Sequence, residues 1–345
     1  MTRIHKWFDG AHRDSSEMYW IAEPAYTHQG DFQYLLALVD ALIDSGADAV
    51  KFHLMLDLDE YIVSEHPLYP DLQKWLFTRE QWREVFARCR RGGVEIVGLA
   101  DELPALDFLI EEKVDAIGIH ATCINDYFML KRLSEIKQPL FIGIGGIQLS
   151  EIELALQLLA GSDQIILMYG IQHYPTPPQS IHLHKLLLYQ THFRLPVGYA
   201  DHTASEEDRT RSLVYAAAFG LGVRIFEQHV TLDLATKRED DEAAIEVAGV
   251  AKLKEQLELV AVMTGNTEFD LKAEEREYFA KVRKCMLAAQ DLPVGTVLTE
   301  QHIKFKRTKA QGDMEQKDFT ELIGKTLLQE IHADEAFCWK HVRKQ

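Results

Sequence analysis

Eight short runs rich in β-branched and aliphatic residues recur through the chain, most of them separated by segments with helical spacing. They are YWIAEPA (19–25), ADAVKFHLM (47–55), VEIVGLAD (94–101), VDAIGIHA (114–121), LFIGIGG (140–146), QIILMYG (164–170), PVGYADH (196–202) and VRIFEQHV (223–230). The stretch from Asp31 to Ser45, ended by Gly46, and segments such as EQWREVFARCRR and SEIELALQLLA carry the apolar period of helices. Eight such units predict an α/β fold, a (β/α)8 barrel of about 250 residues. A doubly wound open sheet is the competing arrangement, but no GxGxxG follows the first strand.

A chain of 345 residues holds such a barrel and one small domain besides. Residues 14–263 are assigned to the barrel and 264–283, polar and charged, to a partly helical linker. Residues 284–345 change character: CMLAAQDLPVGTVLTEQHIKFKR sets Pro-Val-Gly between short β-like runs, which predicts a second, β-rich domain. Its roughly 60 residues lie near the lower limit of independent stability, so docking on its own barrel or a partner subunit is expected. The acid load is uneven, with ten Lys/Arg against nine Asp/Glu from Lys284 onward, a balance of +1 that leaves −18 on the first 283 residues. That balance excludes nucleic acid and anionic membranes as partners. No apolar run reaches transmembrane length and the first residues lack the apolar centre of a signal peptide, so a cytoplasmic location is expected. Cys89, Cys123, Cys285 and Cys338 stand singly, with neither disulfide nor zinc spacing.

The chemistry concentrates between Pro196 and Asp233. PVGYADHT ends in Asp201 and His202, and RIFEQHVTLD carries Glu227 and His229. The intervening SEEDRTRSLVYAAAFG reads as one helix closed by Gly220. Imidazoles and carboxylates thus fall where parallel strands end, the edge at which α/β folds bind ligands.

AEPAYTHQGD (22–31), GADAVKFH (46–53), YPTPP (174–178), VGYADHT (197–203), FEQHVTLD (226–233) and LAAQDLPVGTVLTEQHIKFKR (287–307) together resemble the sialic acid synthase family, in family order and over nearly the whole chain. The last block resembles the antifreeze-like SAF domain that such synthases carry. The resemblance implies condensation of phosphoenolpyruvate with an acylated amino sugar, hence a small carbohydrate substrate. It implies a divalent metal ion at His202 and His229, Mn2+ or Mg2+ with Zn2+ or Fe2+ as alternatives, polarising the sugar aldehyde. It further implies catalytic roles for Glu23, Lys51, Glu227 and Asp240. Arg307 would reach a partner's site in a domain-swapped homodimer.

The chain departs from the family where phosphate should bind. Lys51 is kept, but Leu99, Gly118, Ala121, Cys123, Gly143, His173 and Ala200 stand at positions where the family has polar or charged side chains. Functional residue types gained nearby suggest a rebuilt polar site: His53, Asp101, His120 and His173, with His28, Tyr174 and Asp201 as further substrate contacts. On alternating strands His53 shares the inward parity of Lys51, and His120 that of Gly118. Three functions follow. One is a synthase-type enzyme of nonulosonate formation. Another is a metal-dependent aldolase, lyase or hydrolase acting on an unphosphorylated substrate. The third is a non-catalytic sugar-binding subunit of a glycan pathway.

Overall fold

The computed structural model describes residues 2–8, 16–265, 268–309 and 312–342. The expected barrel start at residue 14 and the final residue, 345, lie outside them. The chain forms two compact units, 1–266 and 267–345.

The first unit is a closed parallel barrel. Its strands are β1 (Tyr19–Glu23), β2 (Ala49–Leu54), β3 (Glu95–Ala100), β4 (Ala116–Ile119), β5 (Leu140–Gly143), β6 (Ile165–Tyr169), β7 (Val197–Asp201) and β8 (Ile225–Thr231). They pair in sequence order, and β1 closes on β8 with Glu23 opposite His229. Helices α1 (Phe32–Ile43), α2 (Leu58–Tyr61), α3 (Tyr69–Trp75), α4 (Arg79–Gly92), α5 (Leu103–Glu112), α6 (Tyr127–Leu133), α7 (Leu149–Leu158), α8 (His184–Phe193), α9 (Asp208–Gly220) and α10 (Val247–Thr264) complete the unit. A two-residue strand, β9 (Ile245–Glu246), pairs with the end of β8.

Both faces of each barrel strand are covered, which is why the strands read as near-continuous apolar runs. Trp20, Val50, Phe52, Ile96 and Phe226 point outward into the main core, beneath the helices. Tyr19, Ile21, Ala49, Val97, Ala116, Phe141, Ile166, Met168, Ala200 and Ile225 fill the interior. The turn at Ile4–Phe8 shuts the amino-terminal end, with Ile4 in that inner cluster and Trp7 and Phe8 against it. Glu95 holds this plug by accepting from Tyr19 Oη (2.8 Å) and the Ile4 amide (3.2 Å).

One local expectation is corrected. Gly220 is the last residue of α9, not the residue that ends it; the left-handed position two residues on is Gly222, at φ +91°.

The second unit packs Met286, Leu292, Leu298, Leu327, Ile331 and Phe337 around a hairpin of β10 (Lys284–Ala288) and β11 (Ile303–Arg307). Helices α11 (Ala273–Val282) and α12 (Phe319–Leu322) belong to the same unit.

Candidate active site

Strand parity decides what reaches the open end of the barrel. Inward positions on β8, β1 and β2 place Glu227, His229, Glu23, Lys51 and His53 side by side. The Lys51 ammonium lies 2.7 Å from Glu227 Oε1 and 2.9 Å from Glu23 Oε2. His53 Nε2 lies 3.0 Å from Glu23 Oε1, and its Nδ1 lies 3.6 Å from Asp101 Oδ2, an ion-pair distance too long for a hydrogen bond. Tyr26 donates to the same Asp101 oxygen (3.2 Å). The result is a buried row of alternating charge: Asp101, His53, Glu23, Lys51, Glu227.

The neighbours set the charge states. Burial works against the Lys51 ammonium, yet Glu227 and Glu23 hold its pKa above the usual value. Burial likewise opposes His53, but Asp101 and Glu23 outweigh it and raise the imidazole to about 10. Glu23 is driven down because Lys51, His229 and His53 overcome its desolvation. Glu227 goes the other way, raised by burial and by the charge of Glu23 against the pull of Lys51.

Beside this row stand two imidazoles, His202 and His229, with ring centroids 4.9 Å apart. His202 Nδ1 meets the Ile171 carbonyl at 2.8 Å, a bond that makes it the protonated nitrogen and leaves Nε2 with its lone pair. His229 Nδ1 is buried and, among the described residues, has no hydrogen-bond partner. Tyr174 packs edge-on against His202, with centroids 4.4 Å apart. A divalent metal takes this kind of donor pair, one imidazole oriented by a backbone carbonyl and the other with Nδ1 unpaired among the described residues and Nε2 3.5 Å from Glu23 Oε2. Among the described residues no group of three or more His, Cys, Asp or Glu is placed to hold an ion.

The opposite side of the mouth is different. Inward positions on β3 to β7 carry Leu99, Gly118, Gly143, Met168 and Ala200. Leu99 fills the space beside Gly118: a Cβ on that glycine would sit 2.8 Å from Leu99 Cδ1. A Cβ at Gly143 would meet the Ala121 amide nitrogen at 2.8 Å.

A sequence model described as the NeuB family matches residues 38–269, and a SAF domain model matches residues 283–343. The chain belongs to the NeuB family. Relatives of the whole chain include the N,N'-diacetyllegionaminic acid synthase of Legionella pneumophila, 25% identical over 93% of this chain and 94% of that protein. The human N-acetylneuraminate-9-phosphate synthase is 24% identical over 96% of this chain and 93% of its own. Among solved structures, the N-acetylneuraminic acid synthetase of Leptospira borgpetersenii, crystallised with citrate, superposes at a TM-score of 0.70. It is 22% identical and covers 76% of this chain and 90% of that one, a likeness of fold.

Within this NeuB barrel the expected residues sort into three groups. Glu23, Lys51, His53, Asp101, Glu227 and the two histidines of the pair converge. His120 stands near them, its ring centroid 5.8 Å from that of His53, and its Nε2 faces Gln172 Oε1 at 3.2 Å. Asp240 supports from the rim by accepting from the Tyr26 amide (3.0 Å), which ties the loop after β8 to the loop after β1.

Others are corrected. Asp201 is turned away from the mouth. It shares the outward parity of Tyr199 and is bound by Tyr199 Oη, by the Thr203 amide and hydroxyl, and by the buried Arg211 at 3.6 Å. His28 serves its own turn: Nδ1 accepts from the Gly30 amide, the ring packs on Phe77, and burial lowers its pKa to about 3. His173 is exposed, and its contribution is a backbone carbonyl that accepts from Thr176. Four histidines of the mouth thus stand as two ring pairs, His53–His120 and His202–His229. Arg307 is an exposed residue of β11, opposite Lys284 in the second unit.

Tyr26 and Gln172 escaped the sequence reading. Tyr26 lies between Glu23 and His28 in the AEPAYTHQGD block, and Gln172 directly precedes His173. In both cases the neighbours carried the signal. Trp75 was missed as well: its ring packs at a tilt against Tyr26, centroids 5.1 Å apart, and the end of α3 comes so close to the loop after β1 that a Cβ on Gly30 would overlap the Lys74 carbonyl.

Proposed function

We infer that this protein is a carbon–carbon condensing enzyme of nonulosonate formation, joining a three-carbon donor to the aldehyde carbon of an amino sugar. The observation that carries this reading is the Glu23–Lys51–Glu227 row beside the His202–His229 pair, at the open end of a barrel whose family includes legionaminic and sialic acid synthases.

A divalent cation suits the pair. His202 and His229 would hold it, and the remaining positions would fall to water and substrate oxygens. Bound there, it supplies polarisation of a carbonyl oxygen and neutralises developing alkoxide charge. The protein's own groups do the rest. Glu227, whose Oε2 is buried and without a hydrogen-bond partner among the described residues, accepts or returns a proton at the reacting centre. Lys51 keeps the two carboxylates from repelling each other and fixes their spacing. Tyr174 walls the imidazoles from solvent. Arg307, acting from a swapped second subunit, and a cytoplasmic setting complete the reading.

The test is direct. Purified protein with Mn2+, a panel of N-acetylated amino-hexoses and either phosphoenolpyruvate or pyruvate is assayed by mass spectrometry for a product three carbons longer. Glu227→Gln should lower turnover by about 10²–10⁴-fold, the range of a lost general acid–base group. Absence of product with every sugar and both donors rules the reading out.

A further inference from the structure

The inference concerns His53 and rests on the condensing reading above. Three imidazoles crowd the β1–β4 side of the mouth, and their hydrogen bonds tell them apart. His28 Nδ1 accepts from the Gly30 amide at 3.1 Å, and His120 Nδ1 accepts from the Thr122 amide at 3.3 Å. A ring nitrogen that accepts an N–H carries no proton, so both of these imidazoles are neutral. Burial lowers the pKa of each, and the positive charge of His53 lowers it further. His53 differs in having a carboxylate at either nitrogen: Glu23 Oε1 lies 3.0 Å from Nε2, and Asp101 Oδ2 lies 3.6 Å from Nδ1. Two such neighbours favour the imidazolium.

Both carboxylates are themselves held. Tyr26 donates to Asp101 Oδ2 at 3.2 Å and packs on the His53 ring, centroids 5.0 Å apart. Glu23 is gripped at both oxygens, Oε1 by His53 and Oε2 by the Lys51 ammonium at 2.9 Å. Lys51 reaches on to Glu227 Oε1 at 2.7 Å. One cation would leave the Glu23 carboxylate free to turn about its bond to the chain, whereas two fix its plane and the place of Lys51. We propose that His53, held charged by Asp101, is a positioning residue: it locks Glu23, which in turn sets Lys51 and the Glu227 carboxylate at the reacting centre.

The titratable groups facing the ring are Glu23, Tyr26 and His28 from β1 and the loop after it, Lys51 from its own strand, Asp101 after β3 and His120 after β4. Burial keeps Tyr26 protonated well above the usual phenol range, and Lys51 is held charged by Glu227 and Glu23. His53 is therefore the first of these groups to lose a proton as pH rises above neutrality, at about 10.

Two measurements on the full chain test this role. In protein carrying ¹⁵N-labelled histidine, the His53 ring signals, identified by their absence from His53→Gln, should keep the imidazolium pattern up to about pH 9. Asp101→Asn leaves a side-chain oxygen for Tyr26 but removes the charge, and should lower the ring transition by about 1–3 pH units. In the condensation assay the same variant should move the alkaline limb of kcat down with the ring. His53→Leu should lower kcat by about 10²-fold with KM little changed, the mark of a misplaced reacting group. His53→Gln, which returns an N–H donor toward Glu23, should recover part of that loss. A His53 ring already neutral near pH 7, or an Asp101→Asn profile that does not follow the ring, overturns the proposal and leaves the condensing reading standing. So does a folded His53→Leu protein that turns over as the natural one does. Absence of product from the natural protein removes the condensing reading, and the proposal with it.

Discussion

The two halves of the barrel mouth are built on the same strands and the same parity, yet they solve opposite problems. On β8, β1 and β2 the inward positions hold ionisable groups of opposite charge side by side, so much of the cost of burying each charge is offset by its neighbour. On β3 to β7 the same positions hold small or aliphatic residues packed to contact. The first half fails if one member is lost, because a partner remains charged and buried. The second fails by overpacking or by leaving a void. The comparison teaches that one ring of strand ends can confine polarity to an arc, and that this arc sets what the ligand may carry.

The largest effect is expected from Lys51→Met. It leaves Glu23 and Glu227 facing each other without a cation, and breaking a buried pair in this way costs about 3–5 kcal/mol. Denaturant unfolding should show that loss, and the condensation assay should show no turnover. Asp201→Ala sharpens the contrast from outside the mouth. Arg211 loses one carboxylate but keeps Asp208 (2.9 Å) and two carbonyls, so about 3 kcal/mol should be lost at most. Ligand affinity of the folded protein should stay unchanged; a raised KM would return Asp201 to the site.

Gly118→Ala tests the uncharged half. The added methyl needs Leu99 to move, and overpacking of this kind typically costs about 1–3 kcal/mol. Gly118→Ala/Leu99→Val should recover part of the loss in thermal melts.

The smallest effect is a pH trend. The folded-state pKa of His53, about 10, is raised above the ordinary 6.5, so the native protein holds this proton more tightly than the unfolded chain. Its contribution is therefore complete below pH 6.5 and lost as pH climbs toward 10. The stability gap between the natural protein and His53→Gln should narrow over that window, and a constant gap would mean the imidazole is not held charged.

The strands were legible because burial on both faces writes apolar runs into the sequence, and their order needs only adjacency. Much of the charged arc was legible for a related reason: Lys51 and His53, like Glu227 and His229, are two apart and so share a face. Parity also held the answer for Asp201. It alternates with Ala200, and a site using the inward Ala200 position cannot also use Asp201 of the same strand. The rest needed three dimensions. That His53 bridges Glu23 to Asp101, or that Leu99 fills the space beside Gly118, depends on cross-strand register, which single-strand periodicity does not carry. His28 looked like a ligand because a histidine in a polar loop reads the same whether its nitrogen meets a substrate or its own backbone.

The saturation of Lys51 also bears on kinetics. Its positive charge is spent within the row, in a chain whose formal net charge is −17, so little attractive field extends outward to guide an anion. Capture of an anionic ligand should gain nothing from electrostatic steering, and added salt should speed its arrival rather than slow it. Discrimination would then be exercised after arrival, by how long a molecule stays.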